Sequence, residues 1–191
     1  RSPTHVTINT ASGMNERFDH VFIASHSDQA LQMLGDATHG ERDILGAIPY
    51  QKNEVVLHTD TSLLPRTRRA WAAWNYLNRR RQATRVSVTY NMNILQHIQS
   101  SSTYCVTLND TENINPDRII KTLSYDQPVF TTSGIAAQQR QGEINRVRRT
   151  RYCGAYWRNG FHEDGVVSAI KAVENFEEQS GHAQSSLRRA G

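Results

Sequence analysis

Lysine is nearly absent from this chain. Of the 22 basic residues among 191, only Lys52, Lys121 and Lys171 are lysines, so the other 19 are arginines. Large apolar side chains are scarce as well. Leu, Ile, Val and Phe together number 40, about 21%, close to the roughly 20% below which a chain reads as disordered. Clear strand patterns and a net charge of only +4 still specify a folded protein. Its core is thin, or is completed by something outside these residues. The longest unbroken apolar run, Ala70 to Trp74, is far short of the ~20 residues that span a bilayer, which excludes a transmembrane helix. No basic-then-apolar segment opens the chain, so no signal peptide and a cytoplasmic location are expected. Two cysteines, Cys105 and Cys153, exclude a disulfide scaffold and a four-cysteine zinc site; burial as small hydrophobes is expected for both.

Arginine offers a flat fork of donors suited to carboxylates and phosphates. The densest stretch holds Arg66, Arg68, Arg69, Arg79, Arg80, Arg81 and Arg85. Nucleic-acid contact is one reading of it. Neither a recognition-helix pattern nor an RNA-binding sheet motif accompanies the charges, so a solvated loop, or one facing a partner domain, is the expectation.

The pattern opens as a β-hairpin, with His5 to Thr10 and Phe18 to Ala24 as strands around the turn residues Ser12 to Asn15. Ser27 and Asp28 then cap a helix through Ala30, Leu31 and Leu34, with Gly35 as its stop. A strand followed at once by a capped helix reads as the last unit of an α/β layer. From Tyr50 onward longer strands follow: Glu54–Thr59, Ala70–Tyr76, Arg85–Tyr90, Thr103–Asn109 and Ile119–Tyr125, as an antiparallel meander with a short helix near Asn93–Ile98. A helix over Ser133–Val147 is weakened by Gly142. Thr150–Tyr156 reads as a final strand. The last helix starts near Glu163 and puts Val166, Ala169, Ile170, Val173 and Phe176 on one face. Beyond Gly181 the tail is polar and expected to be disordered.

Most of the chemistry sits between residues 152 and 169. A strand leads through a glycine-flanked aromatic turn into a helix N-terminus, whose free N–H groups and dipole receive negative charge. Gly160 and Gly165 let backbone approach a ligand. The plainer alternative is a capped helix whose Glu163 and Asp164 complement its own dipole. In the other half of the chain, His58 and Asp60 lie two apart on a strand, hence on one face. They are a metal pair, a proton relay, a hydrogen-bonded pair lining a cavity, or simply structural; no third ligand is assignable, so no metal is expected. Trp71 and Asn75 share one strand face and Trp74 and Tyr76 the other, one being core and one a cavity wall. Other histidines of interest are His20, His26 and His162. The last is either a helix cap or an acid/base near neutral pH.

The run Tyr152-Cys153-Gly154-Ala155-Tyr156-Trp157-Arg158-Asn159-Gly160-Phe161-His162-Glu163-Asp164-Gly165 resembles the C-terminal flavin-binding segment of the FAD-dependent amine oxidoreductase superfamily, which includes monoamine oxidases, protoporphyrinogen oxidase and phytoene desaturase. A bacterial NAD/FAD-binding, amine-oxidase-like branch is similar also over Phe18–Leu31, over Asn53–Asp60 continuing to Leu63-Leu64-Pro65, and over Ala70–Tyr76. The resemblance implies an α+β chain: an antiparallel or mixed substrate-domain sheet with helices, plus the last strand-helix elements of a Rossmann-like FAD domain. It implies a cofactor shell of Gly154, Tyr156, Gly160, Phe161, His162, Glu163, Asp164 and Gly165, with amides around Asp164 to Val166 facing the N1–C2=O edge of FAD. It also implies a substrate cavity drawing on His58, Asp60, Trp71, Trp74 and Asn75, and hydride transfer from a small-molecule substrate to flavin N5.

Two departures matter. Ala155 stands where many members carry an acidic residue, and no Gly-x-Gly-x-x-Gly occurs anywhere in the chain. The expectation is therefore a C-terminal fragment of a two-domain flavoprotein that needs an N-terminal FAD-binding part as its partner and is inactive alone. The expected regions are 1–36 (end of the FAD domain), 37–148 (substrate domain), 149–180 (closing flavin strand and helix) and 181–191 (tail). The alternative is a non-catalytic module that binds protein or nucleic acid through its sheet and arginine loop.

Overall fold

A computed structural model describes residues 1–77 and 87–179. In chain order its elements are β1 (Val6–Asn9), β2 (Asn15–Phe18), β3 (Val21–Ile23), α1 (Ser27–Met33), α2 (His39–Gly46), β4 (Tyr50–His58), β5 (Trp74–Tyr76), β6 (Val88–Asn91), α3 (Met92–Leu95) and β7 (Cys105–Leu108). Then come β8 (Ile119–Pro128), α4 (Thr132–Gln138), α5 (Gln141–Ile144), β9 (Thr150–Tyr152) and α6 (His162–Gln179). They form two compact units: residues 1–50 with the chain from Pro128 onward, and residues 51–127. Stretches 37–50 and 128–148, expected in the middle region, thus belong to the first unit.

In the first unit β1 and β2 form an antiparallel hairpin that pairs Val6 with Phe18. The run Phe18–Ala24 is not one strand, as expected, but divides at Asp19-His20. Its second half, β3, pairs in parallel with β9, Val21 opposite Thr150 and Ile23 opposite Tyr152. The core gathers Ala30 from α1, Ile44 and Leu45 from α2, Ala137 and Ile144 from α4 and α5, and Tyr152, Tyr156 and Trp157 around β9. Each fully buried large side chain contributes about 1.5–3 kcal/mol. At the floor of this core lies a buried ionic knot. The Glu41 carboxylate accepts hydrogen bonds from Arg1 (2.6 and 2.8 Å), from the Tyr152 hydroxyl (2.6 Å) and from the Thr38 amide (2.8 Å). Burial acts to raise its pKa, but these donors, Arg1 foremost, hold it down at about 2.

The second unit is a five-stranded antiparallel sheet in the order β5-β6-β7-β4-β8. It is a meander only across β5, β6 and β7; β4 lies between β7 and β8, because β4 pairs Val55 with Leu108 rather than meeting β5. A small apolar cluster of Val56, Leu63 and Ile114 packs with Ile119. Alternation along the strands sorts side chains in an unusual way. The buried face carries Asn75, Thr89, Asn91, Thr107 and His58, while Trp74 and Tyr76 stand exposed on the other. The strand expected from Ala70 is only three residues long, Trp74–Tyr76, since Arg68–Ala70 form a 3-10 turn. No described helix is long and apolar enough to cross a membrane.

Candidate functional site

Strand β9 delivers the chain to Gly154 at the carboxyl end of the parallel pair, where open α/β layers place their ligands. Gly154 has φ 154° and donates its N–H to Ser168 Oγ at 2.8 Å; Ser168 in turn donates to the Gly165 carbonyl at 2.8 Å. A Cβ at Gly154 would stand 2.5 Å from the Tyr156 ring, so only glycine lets the turn fold back here. Gly160, at φ 89°, provides a second reversal, its N–H bonded to the Ala155 carbonyl at 3.2 Å. Gly165 has ordinary room: a Cβ there would meet Ala155 at 3.8 Å.

Asp164 is the centre of the turn. Its buried carboxylate accepts the N–H groups of Asn159 (3.1 Å) and Phe161 (3.0 Å), and Arg158 stands 3.5 Å away. The Gly165 N–H is bonded to the Phe161 carbonyl at 3.2 Å, which makes it part of the α6 ladder. The amides open to a ligand or to water are therefore those of the first turn, His162, Glu163 and Asp164. Of the expected Asp164 to Val166 set, the Asp164 amide stays open and the Gly165 amide does not. Both side chains are exposed, as is Phe161, whereas Tyr156 is buried.

Around the ends of β3 and β9 several buried polar atoms find no partner among the described residues. They are Tyr156 Oη, Trp157 Nε1, Ser27 Oγ and His26 Nδ1. Tyr156 and Trp157 interact weakly but close no hydrogen bond, and burial drives the Tyr156 pKa far up. The His26 ring stacks on Tyr50 at 4.6 Å, and the Tyr50 hydroxyl accepts the Ser27 N–H at 3.0 Å. His20 Nδ1 and Arg151 Nε belong to the same unpartnered set, although the His20 ring packs on Phe176 (4.8 Å) and its Nε2 meets Arg149 (3.2 Å).

The eight residues proposed as a cofactor shell are thus contiguous around one turn, but the second set disperses. His58 and Asp60 are not a relay. Asp60 lies past the end of β4 and spends its carboxylate on the amides of Ser62 (2.9 Å) and Asn115 (2.8 Å). His58 is fully buried, its Nδ1 accepting the Asp60 N–H (3.2 Å) and its Nε2 meeting Thr107 Oγ1 at 2.7 Å; Thr107 meets Thr89 at 2.9 Å. Burial lowers the His58 pKa, with the Asp60 charge opposing. No group of three or more potential metal ligands occurs among the described residues.

Trp71 and Asn75 do not share a strand face, since Trp71 precedes β5. The Trp71 indole donates to the Pro65 carbonyl at 2.8 Å, and Trp74 packs edge-on to Tyr90. Asn75 donates to the Ala72 and Thr89 carbonyls at 2.7 and 3.2 Å. Of the five, Asn75 lines a cavity. Cys105 and Cys153 are both buried; burial pushes the Cys105 thiol up to about 11 and raises that of Cys153. Of the seven clustered arginines, Arg66, Arg68 and Arg69 are exposed, and Arg68 sits 5.2 Å from the Trp71 ring centre. Arg79, Arg80, Arg81 and Arg85 lie outside the described residues, as does the tail.

No protein-family model and no curated protein matches the sequence. Solved structures do match. Over 94% of its length the chain superposes on a protein from Exiguobacterium sp. 255-15 described as a protoporphyrinogen oxidase, at a TM-score of 0.65 and 16% identity. Over 92% it superposes on a fatty acid isomerase of P. acnes that produces CLA, at 0.58 and 15%. The resemblance holds at the level of the fold. The chain spans 45% of the length of each of these proteins, so it has the fold of one part of them.

Proposed function

We propose that this chain is the part of an FAD-dependent oxidoreductase that closes over the flavin and carries its substrate domain. The observation that carries the reading is the turn from Gly154 to Asp164. It sits at the carboxyl end of a parallel strand pair and folds back so tightly that a Cβ cannot enter, and it leads into an 18-residue helix with its first amides unspent. FAD bound there supplies hydride acceptance at N5.

The chain's own residues do three things in this reading. Asp164 fixes the turn by holding two of its amides, so the loop needs no reordering on binding. The free N–H groups of the first α6 turn donate to the electron-rich edge of the ring, while the Glu163 and Asp164 carboxylates offset the α6 dipole. Gly154, having no side chain, lets the backbone of the turn approach the ligand. Two proteins of this fold are described as acting on different substrates, so the substrate is not carried over.

The test is to purify the chain together with a dinucleotide-binding N-terminal part as one protein and record its flavin spectrum. Co-purifying flavin that bleaches anaerobically with one compound class is the expected result. Gly154→Val is expected to lower flavin content at least tenfold while the circular dichroism of the fold remains. A colourless wild type, or a Gly154→Val protein with full flavin content, contradicts the reading.

A further inference from the structure

The loop after β4 and the strand β5 border a half-open hollow of about 550 Å³ wholly within the 51–127 unit, with residues 62–66 on one side and 75–77 on the other. That volume lies in the range of small-molecule sites, about 300–1,000 Å³. Its lining is mainly apolar: Leu63 and Leu64 are buried, and Pro65 and Leu77 continue the surface. The walls are fixed without a ligand. Trp71 clamps Pro65, and the Asn75 side chain both accepts the Ala72 N–H (3.1 Å) and donates to its carbonyl (2.7 Å). A wall held in this way binds at low ordering cost.

The polar content is small and specific. Asn75 is already committed to Ala72 and Thr89, which leaves Arg66 as the charged group of the lining. Arg66 is exposed and pairs with no carboxylate among the described residues. One guanidinium at the rim of an apolar hollow matches a single carboxylate on a hydrocarbon body.

We propose that this cavity binds an amphipathic carboxylic acid, its apolar tail against Leu63, Leu64 and Leu77 and its carboxylate on Arg66. Naming that acid as the substrate rests on the flavin reading above; its binding does not.

The experiment titrates the 191-residue chain with cis-parinaric acid, whose fluorescence rises on entering an apolar site, and competes it with palmitate, hexadecanol, butyrate and hexadecyltrimethylammonium. Saturable binding is expected, with palmitate displacing the probe and butyrate failing to. Loss of the charge-assisted bond in Arg66→Gln is expected to weaken binding about tenfold or more. Arg66 is exposed, so this variant keeps its melting temperature. A second variant, Leu77→Asn, attacks the tail and is expected to weaken palmitate and hexadecanol alike. Three results overturn the proposal: no saturation, wild-type affinity in Arg66→Gln, or displacement by the hexadecyl cation as effective as by palmitate. A colourless N-terminally extended protein sinks the flavin reading and leaves this binding intact, so the two failures are separable.

Discussion

The two units bury the wrong-looking side of their secondary structure, and they do it by different means. In the first, α6 turns Asp164, Ser168 and Ala172 inward and leaves Val166 and Ile170 exposed. In the second, the sheet buries Asn75, Thr89, Thr107 and His58 and leaves Trp74 and Tyr76 in the open. Hydrophobic patterning alone turns Val166, Ile170, Trp74 and Tyr76 inward. Yet Ala169, Val173 and Phe176 of the expected α6 face are half-buried, and Val56 and Cys105 share the buried side of the sheet. The first unit makes its inversion tolerable by building the polar groups into a turn: Asp164 holds main-chain amides and Ser168 holds Gly154. The second does so by chaining side chains across strands, His58 to Thr107 to Thr89. Large open apolar faces of this kind commonly mark interaction surfaces.

The largest effect is expected in the first unit. Glu41→Ala removes the carboxylate shared by Arg1 and Tyr152, leaving Arg1 only Asp36 as an ion-pair partner, and is expected to cost about 3 kcal/mol, read from urea denaturation. A loss below about 1 kcal/mol would show that the knot is decorative. In the second unit Thr107→Val breaks the chain at its middle and strands the His58 Nε2–H; about 1–3 kcal/mol is expected.

Acid sharpens the same comparison. An unfolded histidine titrates near 6.5, and burial lowers His58 in the second unit and His20 in the first. Below about pH 6.5 the unfolded chain then binds more protons than the folded one, and both units lose stability. Glu41 belongs to the first unit alone. Its folded value of about 2 lies below the usual 4.5, so its contribution is complete above about pH 4.5 and is lost as pH falls toward 2. Asp60 acts in the same sense in the second unit: burial acts to raise its pKa, but the Asn115 and Ser62 amides hold it below the usual value. Denaturation at pH 7, 5.5 and 3 is therefore expected to show a histidine loss and then a carboxylate loss in each unit, the carboxylate loss being larger in the first. Equal stability at pH 7 and 5.5 contradicts the histidine account.

The smallest effect is diagnostic for the helix. Ile170→Lys is expected to change stability by less than about 0.5 kcal/mol, because the side chain already faces solvent. A cost of 2 kcal/mol or more would restore the orientation that periodicity favours.

Much of the element order was legible: α1, the strands from β4 to β8 and the final helix follow from turn residues and apolar spacing. The opening hairpin was placed correctly only in its first strand, its second being Asn15–Phe18 and not Phe18–Ala24. Helix α2 was not, although Thr38 and Glu41 form the reciprocal capping pair that marks a helix start. The helix expected over Ser133–Val147 breaks into α4 and α5 at Gln139-Arg140, just before Gly142. Long-range facts were hidden for a physical reason. The parallel pairing of β3 with β9 joins residues about 130 apart, and nothing local encodes it. Likewise His58 and Asp60 look paired by spacing, but Asp60 sits past the strand end, where alternation no longer sets direction. At the turn from Gly154 the helix start near Glu163 was legible, but the expected strand Thr150–Tyr156 ends at Tyr152 and Ala155–Trp157 form a 3-10 turn, because Gly154 reverses the chain.

In the proposed reading the first-turn amides of α6 and the Gly154 turn receive a flavin. Amide chemical-shift mapping of the N-terminally extended protein, titrated with FAD, decides this. Shifts concentrated on Gly154 to Tyr156 and His162 to Gly165, and abolished in Gly154→Val, are the result predicted. Unmoved amides at this turn with FAD in large excess, or shifts confined to the 51–127 sheet, would contradict it.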